Sequence, residues 1–205
     1  MPKKNETHVI SRHLSRQDPK LAQVISQIGA YGLKPHRLSL FDSLARAIIY
    51  QQLSGKAAST IYGRLRTAAP DVETMSKMSL EQFRATGVSR SKSLALLDLS
   101  EKVLNGVLPP MEKLRRLKDD EIIECLIQVR GIGPWSAQMF LMFRLHRPDV
   151  LPVADYGVRK AFARLYGKRK LPTPDQLAKH AEIWRPYRTA ACWYLWRSLD
   201  GGIQI

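Results

Sequence analysis

Apolar residues recur along the chain at intervals of three and four, which is the spacing of one face of an α-helix. In the segment 38–52 these positions are Phe41, Leu44, Ala45, Ile48 and Ile49. Segments with the same spacing continue to about residue 199, and no segment alternates apolar and polar residues over any length. The pattern therefore predicts an all-α protein.

Short polar motifs set the expected helix boundaries. Ser79 and Gln82 have the spacing of a capping box, and Thr173-Pro174 predicts a cap followed by a first-turn proline. Gly106 follows a predicted helix over 90–105, and Pro109-Pro110 then marks a connection. We expect a single domain over 1–205 with two helical lobes, 37–108 and 1–36 plus 109–205.

Composition narrows the class of partner. The 205 residues include 33 Lys and Arg against 18 Asp and Glu, a formal charge of +15. This favours a polyanion, nucleic acid before a membrane surface, although a well-solvated basic surface is the simpler alternative. No apolar run approaches the roughly 18 residues of a membrane span, and no signal peptide opens the chain. Two cysteines and five scattered histidines exclude a disulfide framework, an iron–sulfur cluster and a zinc site.

Part of the basic charge lies in the segment that contains an unusual loop. Residues 128–170 carry nine basic residues against Asp149 and Asp155, and they contain the loop Gly131-Ile132-Gly133 before Pro134. Such a loop lets the backbone approach another chain, and the first amides of the next helix can bind a phosphate. A tight turn with Ile132 in the core is the structural alternative. Asp155 follows an extended Leu-Pro-Val at the expected start of a helix, where a carboxylate can serve as a cap, as a catalytic group or as both.

These motifs resemble a known family. The run VRGIGPW followed by LPVADYGVRKAF resembles the helix–hairpin–helix DNA glycosylase superfamily. The segments FDSLARAIIYQQLSGKAASTI and RPYRTAACWYLW are similar to the bacterial 3-methyladenine DNA glycosylase II family, so the likeness covers about 38–200. With only residues 1–37 ahead of it, we expect a compact form without the N-terminal β-rich domain. The resemblance implies two helical lobes with a substrate cleft between them.

The resemblance also implies a reaction, which is hydrolysis of the N-glycosidic bond of a flipped alkylated purine such as 3-methyladenine or 7-methylguanine. Asp155 matches the family's catalytic aspartate and would stabilise a sugar cation and orient water. Trp135 stands where bifunctional relatives carry a nucleophilic lysine, so the enzyme is expected to be monofunctional. Trp135, Tyr156 and Trp196 would line the base pocket, with Trp193 as a neighbour, although Trp193 and Trp196 could instead fill the core.

DNA contacts are implied at two loops. Gln52 or Leu53 would fill the gap left by the flipped base, although both could instead pack at a helix end. The hairpin would contact phosphates through the residues Arg130, Gly131, Gly133 and Ser136. Main-chain carbonyls of Ile127, Val129 and Gly131 would hold an alkali metal ion, and no other cofactor is implied.

The expected partner is damaged double-stranded DNA, and the protein is expected to act as a monomer without a membrane. We expect a cytoplasmic, nucleoid-associated protein in a bacterium or a nuclear one in a eukaryote. Two other functions fit the same residues. One is a helix–hairpin–helix glycosylase for oxidised or deaminated bases, and the other is a non-catalytic module that binds lesions.

Overall fold

The computed structural model describes residues 4–34 and 38–199, and within them the chain is helical with no strand, which confirms the all-α prediction. The α-helices are α1 (Lys4–Gln17), α2 (Pro19–Ile28), α3 (Leu40–Tyr50), α4 (Gly55–Ala68), α5 (Val72–Ser76), α6 (Leu80–Ala85), α7 (Arg90–Leu104), α8 (Met111–Leu114), α9 (Asp119–Leu126), α10 (Pro134–Phe140), α11 (Tyr156–Leu165), α12 (Pro174–Ala181) and α13 (Arg188–Leu199). A π-helical turn, Leu141–Leu145, directly follows α10, and a 3₁₀ turn, Glu182–Trp184, follows α12.

Helix starts follow the local sequence. Ser79 and Gln82 form the predicted capping box of α6, since the Ser79 hydroxyl accepts from the Gln82 amide and the Gln82 side chain accepts from Ser79 N–H. Thr173 and Gln176 do the same at α12, with Pro174 as the first helical residue. These caps satisfy amides that have no partner within the helix. The predicted starts of both helices are confirmed.

The described residues divide into two compact units. The first, 38–140, holds α3 to α10 and is built around α7, which packs against α3, α5 and α6. Its core consists of fully buried apolar side chains from these helices, among them Leu44, Ile48, Leu65, Phe83, Leu96 and Leu99. Burying such side chains is the main source of its stability.

The second unit comprises 4–34 and 141–199, so it combines the N-terminal helices with the C-terminal ones. Helix α13 packs against α2 and α11, and α1 packs against α2. Its core is more aromatic, with Trp184, Tyr194 and Phe162 buried beside Leu14 and Leu21. Helix α11, which begins after Asp155, is therefore packed against the C-terminal helix α13.

The boundary between the units differs from the sequence-based one. The structure places 109–140 with 38–108, so the second boundary lies between residues 140 and 141 and not near 108. Local contacts explain this difference, because α10 packs against α3 and α9. In addition, the backbone N–H of Arg130 donates to Asp98 Oδ2 of α7 at 2.7 Å. The prolines at 109 and 110 mark a connection within one unit.

Candidate active site

Asp155 occupies the N-cap of α11 in the second unit. Its Oδ1 accepts the backbone N–H of Val158 at 2.6 Å, and the residue is 8% exposed. The sequence predicts an extended Leu151-Pro152-Val153 segment before this position, but the structure has a turn there, in which the Asp155 N–H donates to Pro152 O at 2.9 Å. The positive end of the helix dipole therefore lies beside the carboxylate, which favours a negative charge there.

Trp196 of α13 contacts the same carboxylate. Its indole Nε1–H donates to Asp155 Oδ1 at 2.9 Å, and its ring stacks on Phe143 with centroids 5.9 Å apart and planes inclined by 23°. Phe143 comes from the π-helical turn, and such turns are frequent at functional sites. Asp155 and Trp196 are therefore held together by two different elements of one unit.

Gly157 makes this contact possible. A Cβ at that position would lie 3.0 Å from Trp196 Cδ1 and 3.1 Å from Asp155 Oδ1, which is tighter than most Cβ contacts, so these neighbours would have to shift by a few tenths of an ångström. Sequence reasoning missed Gly157 and Phe143. The signal for Gly157 was a glycine in the first turn of a helix, where alanine would favour helix formation.

The other predicted aromatic residues lie in different surroundings. Tyr156 is 63% exposed beside Asp155, and Lys160 Nζ lies 5.9 Å from its ring centroid. Trp193 instead packs edge-to-face on Tyr31 with centroids 5.3 Å apart, and the Arg197 guanidinium lies 5.6 Å from its ring. Thus the structure brings Asp155, Tyr156 and Trp196 together in one corner, while the pocket role of Trp193 stays a prediction.

Trp135 belongs to the first unit. It is the second residue of α10 and is 44% exposed, directly after Pro134, which begins the helix as predicted. Its place in a base pocket stays a prediction.

The hairpin loop (127–133) joins α9 to α10 in the first unit. Gly131 adopts φ +79°, a conformation that favours glycine, and a Cβ there would meet Ala95 Cβ at 3.4 Å. Ile132 is 4% exposed, so the structural alternative is confirmed: Ile132 fills the core while the backbone around it turns. Phosphate binding by the same loop stays a prediction. Arg130 is exposed and brings a cation to the loop.

Side chains from elsewhere in the unit hold the hairpin loop. Gln51 Nε2 donates to the Gly131 carbonyl at 2.9 Å and to Ser136 Oγ at 3.3 Å. Ser136 is only 5% exposed, and its contact with a phosphate stays a prediction. Burial raises the pKa of the Asp98 carboxyl, but hydrogen bonds from Lys102 and from the Arg130 amide outweigh burial and leave it below its ordinary value. Sequence reasoning missed Gln51 and Asp98, since neither belongs to a local motif.

The plug loop (51–54) connects α3 to α4. Gln52 adopts φ +58° and is exposed, and Leu53 is 39% exposed. This exposure disfavours the alternative that both residues pack at a helix end. Lys92 of α7 donates its ammonium to the carbonyls of Ile49 at 2.6 Å and Gln51 at 2.8 Å, and burial lowers the pKa of that ammonium.

Within 4–34 and 38–199, no group of three or more His, Cys, Asp and Glu side chains is arranged to hold a metal ion. In the same ranges no helix has both the length and the apolarity needed to cross a membrane.

Known proteins resemble this chain over nearly its whole length. DNA-3-methyladenine glycosylase 1 of Schizosaccharomyces pombe is 36% identical over 195 residues, covering 91% of this chain and 85% of that protein. The solved structure of the S. pombe 3-methyladenine DNA glycosylase in complex with abasic DNA superposes with a TM-score of 0.87 at 34% identity, covering 96% of this chain and 98% of that chain. A DNA-3-methyladenine glycosidase from Bacillus halodurans gives a TM-score of 0.81 at 37% identity, covering 92% and 88%.

The family model for HhH-GPD superfamily base excision DNA repair proteins matches residues 45–186, which include the plug loop, the hairpin loop and Asp155. The match confirms the superfamily that the hairpin and the Asp155 segment predicted. This chain therefore belongs to the HhH-GPD superfamily of base excision DNA repair proteins.

Proposed function

We propose that this protein is a monofunctional DNA glycosylase that removes alkylated purines of the 3-methyladenine and 7-methylguanine type. The observation that carries the proposal is the buried Asp155 carboxylate, held by Trp196 beside the exposed ring of Tyr156. Relatives that match most of the chain are named DNA-3-methyladenine glycosylases, which supports the same class of substrate.

Asp155 would act on the sugar of the flipped nucleotide. As the bond between the purine nitrogen and C1′ breaks, positive charge develops on the sugar, and a nearby carboxylate stabilises it. Water then bonds to C1′ and gives up a proton, while the electron pair of the broken bond leaves with the base. Two donors on Oδ1, Val158 N–H and Trp196 Nε1–H, fix the orientation of the carboxylate for this task.

Selectivity would come from aromatic faces and from the base itself. Alkylation at N3 or N7 makes a purine cationic, which weakens its bond to the sugar and strengthens stacking on Tyr156 and Trp196. Trp135 has no nucleophilic amine, so no Schiff base with C1′ can form at its position. The product is therefore an abasic site in an uncut strand.

The first unit would bind the DNA backbone. The hairpin loop offers amides around Gly131 and Gly133 with the Arg130 cation, and the plug loop offers Leu53 or Gln52 to fill the emptied stack. Contacts with phosphates release counterions from the DNA, so the affinity for DNA should fall as the salt concentration rises. Because these contacts do not read the base, salt should not change which base is released. We expect a monomer to suffice on damaged duplex DNA.

The hairpin carbonyls are chemically suited to an alkali metal ion. Val129 O accepts the Ile132 amide and Gly131 O accepts Gln51, which leaves each oxygen one further lone pair. Hard cations prefer such oxygen ligands. Ile127, Val129 and Gly131 would hold the ion, which would add positive charge beside a bound phosphate.

The test is base release from DNA treated with a methylating agent, followed by chromatography of the freed bases. We expect 3-methyladenine and 7-methylguanine to be released, and the strand to break only after alkali treatment. A panel with uracil, hypoxanthine and 8-oxoguanine duplexes separates the alternatives. Release of one of those bases alone would assign another lesion, and tight lesion binding without any release would make the protein a binding module.

A further inference from the structure

The plug loop and the hairpin loop meet at one side chain of the first unit. We propose that Gln51 is a positioning residue that couples backbone binding by the hairpin loop to insertion of the plug loop into the duplex. The proposal rests on the proposed function and names a residue to which that function assigns no role.

Gln51 is fixed from three directions. Its backbone N–H donates to Ala47 O at 3.3 Å, its carbonyl accepts the Lys92 ammonium at 2.8 Å, and its side-chain amide donates to Gly131 O and Ser136 Oγ. Four hydrogen bonds on one residue leave its backbone and its side chain little freedom. Two of the four lead to the hairpin and the first turn of α10.

Fixing Gln51 also fixes the backbone turn at the next residue, Gln52. Gln52 adopts φ +58°, a left-handed conformation that costs a residue with a side chain free energy and persists only when its neighbours fix it. On its other side Leu53 N–H donates to Tyr50 O at 3.4 Å, and Ser54 caps α4. The chain therefore reverses sharply at Gln52, and this reversal presents Gln52 and Leu53 to solvent.

The hairpin side of the contact is equally constrained. Gly131 adopts φ +79°, its carbonyl accepts from Gln51, and the preceding Arg130 amide is held by Asp98. Displacing the hairpin loop would remove an acceptor of Gln51, and displacing Gln51 would release both the hairpin loop and the turn at Gln52. A phosphate bound at the hairpin loop would therefore stabilise the plug loop in its projecting conformation.

The experiment compares Gln51→Met with Gln23→Met in the full-length chain. Methionine keeps the length of the side chain and removes its donors without a change of charge, and Gln23 is an exposed residue of α2 in the other unit. Two duplexes carry 7-methylguanine. In one duplex it lies opposite cytosine, and in the other it lies opposite an abasic position (the gap), so that no base pair has to be broken before the base is flipped. A third duplex carries 2-aminopurine beside an abasic-site analogue, so that insertion of the plug raises its fluorescence.

For Gln51→Met we expect about a tenfold fall in the single-turnover rate on the paired lesion, because two hydrogen bonds and the fixed turn are lost. We expect a rate within about twofold of wild type on the lesion opposite the gap, a reduced fluorescence rise, and affinity for undamaged duplex within about twofold. Gln23→Met should match wild type throughout. Lys92→Met removes the ammonium that holds the Gln51 carbonyl and should also slow only the paired duplex.

Two results would overturn the inference. Equal losses on both lesion duplexes with a lowered melting temperature would make Gln51 a residue of the fold alone, and unchanged rates for Gln51→Met and Lys92→Met would remove any role in insertion. Wild-type protein that releases no base from either duplex contradicts the proposed function instead, so the two failures are distinguishable.

Discussion

Two aspartates of the same unit share nearly the same local chemistry. Asp18 caps α2 and Asp155 caps α11, and they are 2% and 8% exposed. Each accepts an indole N–H, from Trp184 to Asp18 Oδ2 at 2.7 Å and from Trp196 to Asp155 Oδ1 at 2.9 Å. Burial, capping and an indole donor therefore do not distinguish a structural aspartate from the one that we propose to be catalytic.

Their surroundings do distinguish them. Asp18 also accepts the Tyr166 hydroxyl and the amides of Lys20 and Leu21, and His180 Nε2 lies 3.3 Å away. Trp184 is fully buried, so this carboxylate is enclosed by donors of its own unit. Asp155 instead borders the exposed Tyr156 and the half-buried Trp196. The two aspartates therefore differ in the access of their neighbouring side chains to solvent, and this difference favours Asp155 for chemistry on a bound ligand.

The two aspartates should differ most in their effect on base release. Asp155→Asn keeps the size of the side chain and an oxygen for its donors but removes the negative charge, so we expect base release to fall by at least about 10²-fold. The melting temperature and the affinity for duplex DNA should stay close to those of wild type. Single-turnover release of 7-methylguanine measures the effect, with Asp18→Asn as the matched substitution. Near-normal release by Asp155→Asn would remove it from the catalytic role.

Asp18→Asn should lower the free energy of unfolding more than Asp155→Asn does. Asp18→Asn places an amide NH₂ among the buried donors of Trp184 and Tyr166, so we expect the free energy of unfolding to fall by about 3 kcal/mol. Urea unfolding measures this loss, and activity per folded molecule should change by less than about twofold. If Asp18→Asn were as stable as Asp155→Asn, the enclosed network would contribute nothing measurable and the comparison would fail.

Several of the predicted site residues can be placed from the sequence because their signals are local. Asp155 as a cap, Pro134 as the first residue of α10 and the glycines around Ile132 all follow from backbone rules that act within a few residues. The helical class follows from periodicity in the same way.

The remaining features depend on contacts between distant segments. Asp18 meets Tyr166, His180 and Trp184 across about 150 residues of chain, and Gln51 meets Gly131 across 80. Nothing near Asp18 in sequence marks it as the centre of a network, because its neighbours show only a helix cap. The boundary at 140 is missed for the same reason, since the prolines at 109 and 110 are a local signal whereas the packing of α10 on α3 is not.

Acid should weaken the protein in part by protonating Asp18. Burial raises the pKa of the Asp18 carboxyl, but hydrogen bonds from Tyr166, Trp184, the Leu21 amide and His180 outweigh it and hold the pKa below its ordinary 3.8. Because the folded pKa lies below the unfolded one, the ionised form stabilises the protein above pH about 4, and this part of the stability is lost as pH falls through the folded pKa.

Unfolding free energies of wild type and Asp18→Asn should therefore converge between pH 5 and pH 2. Other carboxyls with lowered pKa values, such as Asp98, are present in both proteins and cancel in the difference. Urea titrations at several pH values give the comparison directly. A constant gap between the two proteins down to pH 2 would show that the Asp18 network is not linked to protonation.

The smallest expected effect is a difference in unfolding free energy between variants of the two tyrosines beside these aspartates. Tyr166 donates its hydroxyl to Asp18 and stacks on Phe162 with centroids 4.2 Å apart, while burial, with the Asp18 hydrogen bond second, raises its pKa. Tyr166→Phe keeps the ring and removes one of several donors to Asp18, so it should cost about 1 kcal/mol of unfolding free energy. Tyr156→Phe changes a ring that is 63% exposed and should cost less than about 0.5 kcal/mol. Thermal melts of both variants measure the difference, and a larger loss at position 156 than at 166 would mean that the Asp155 corner is the enclosed one.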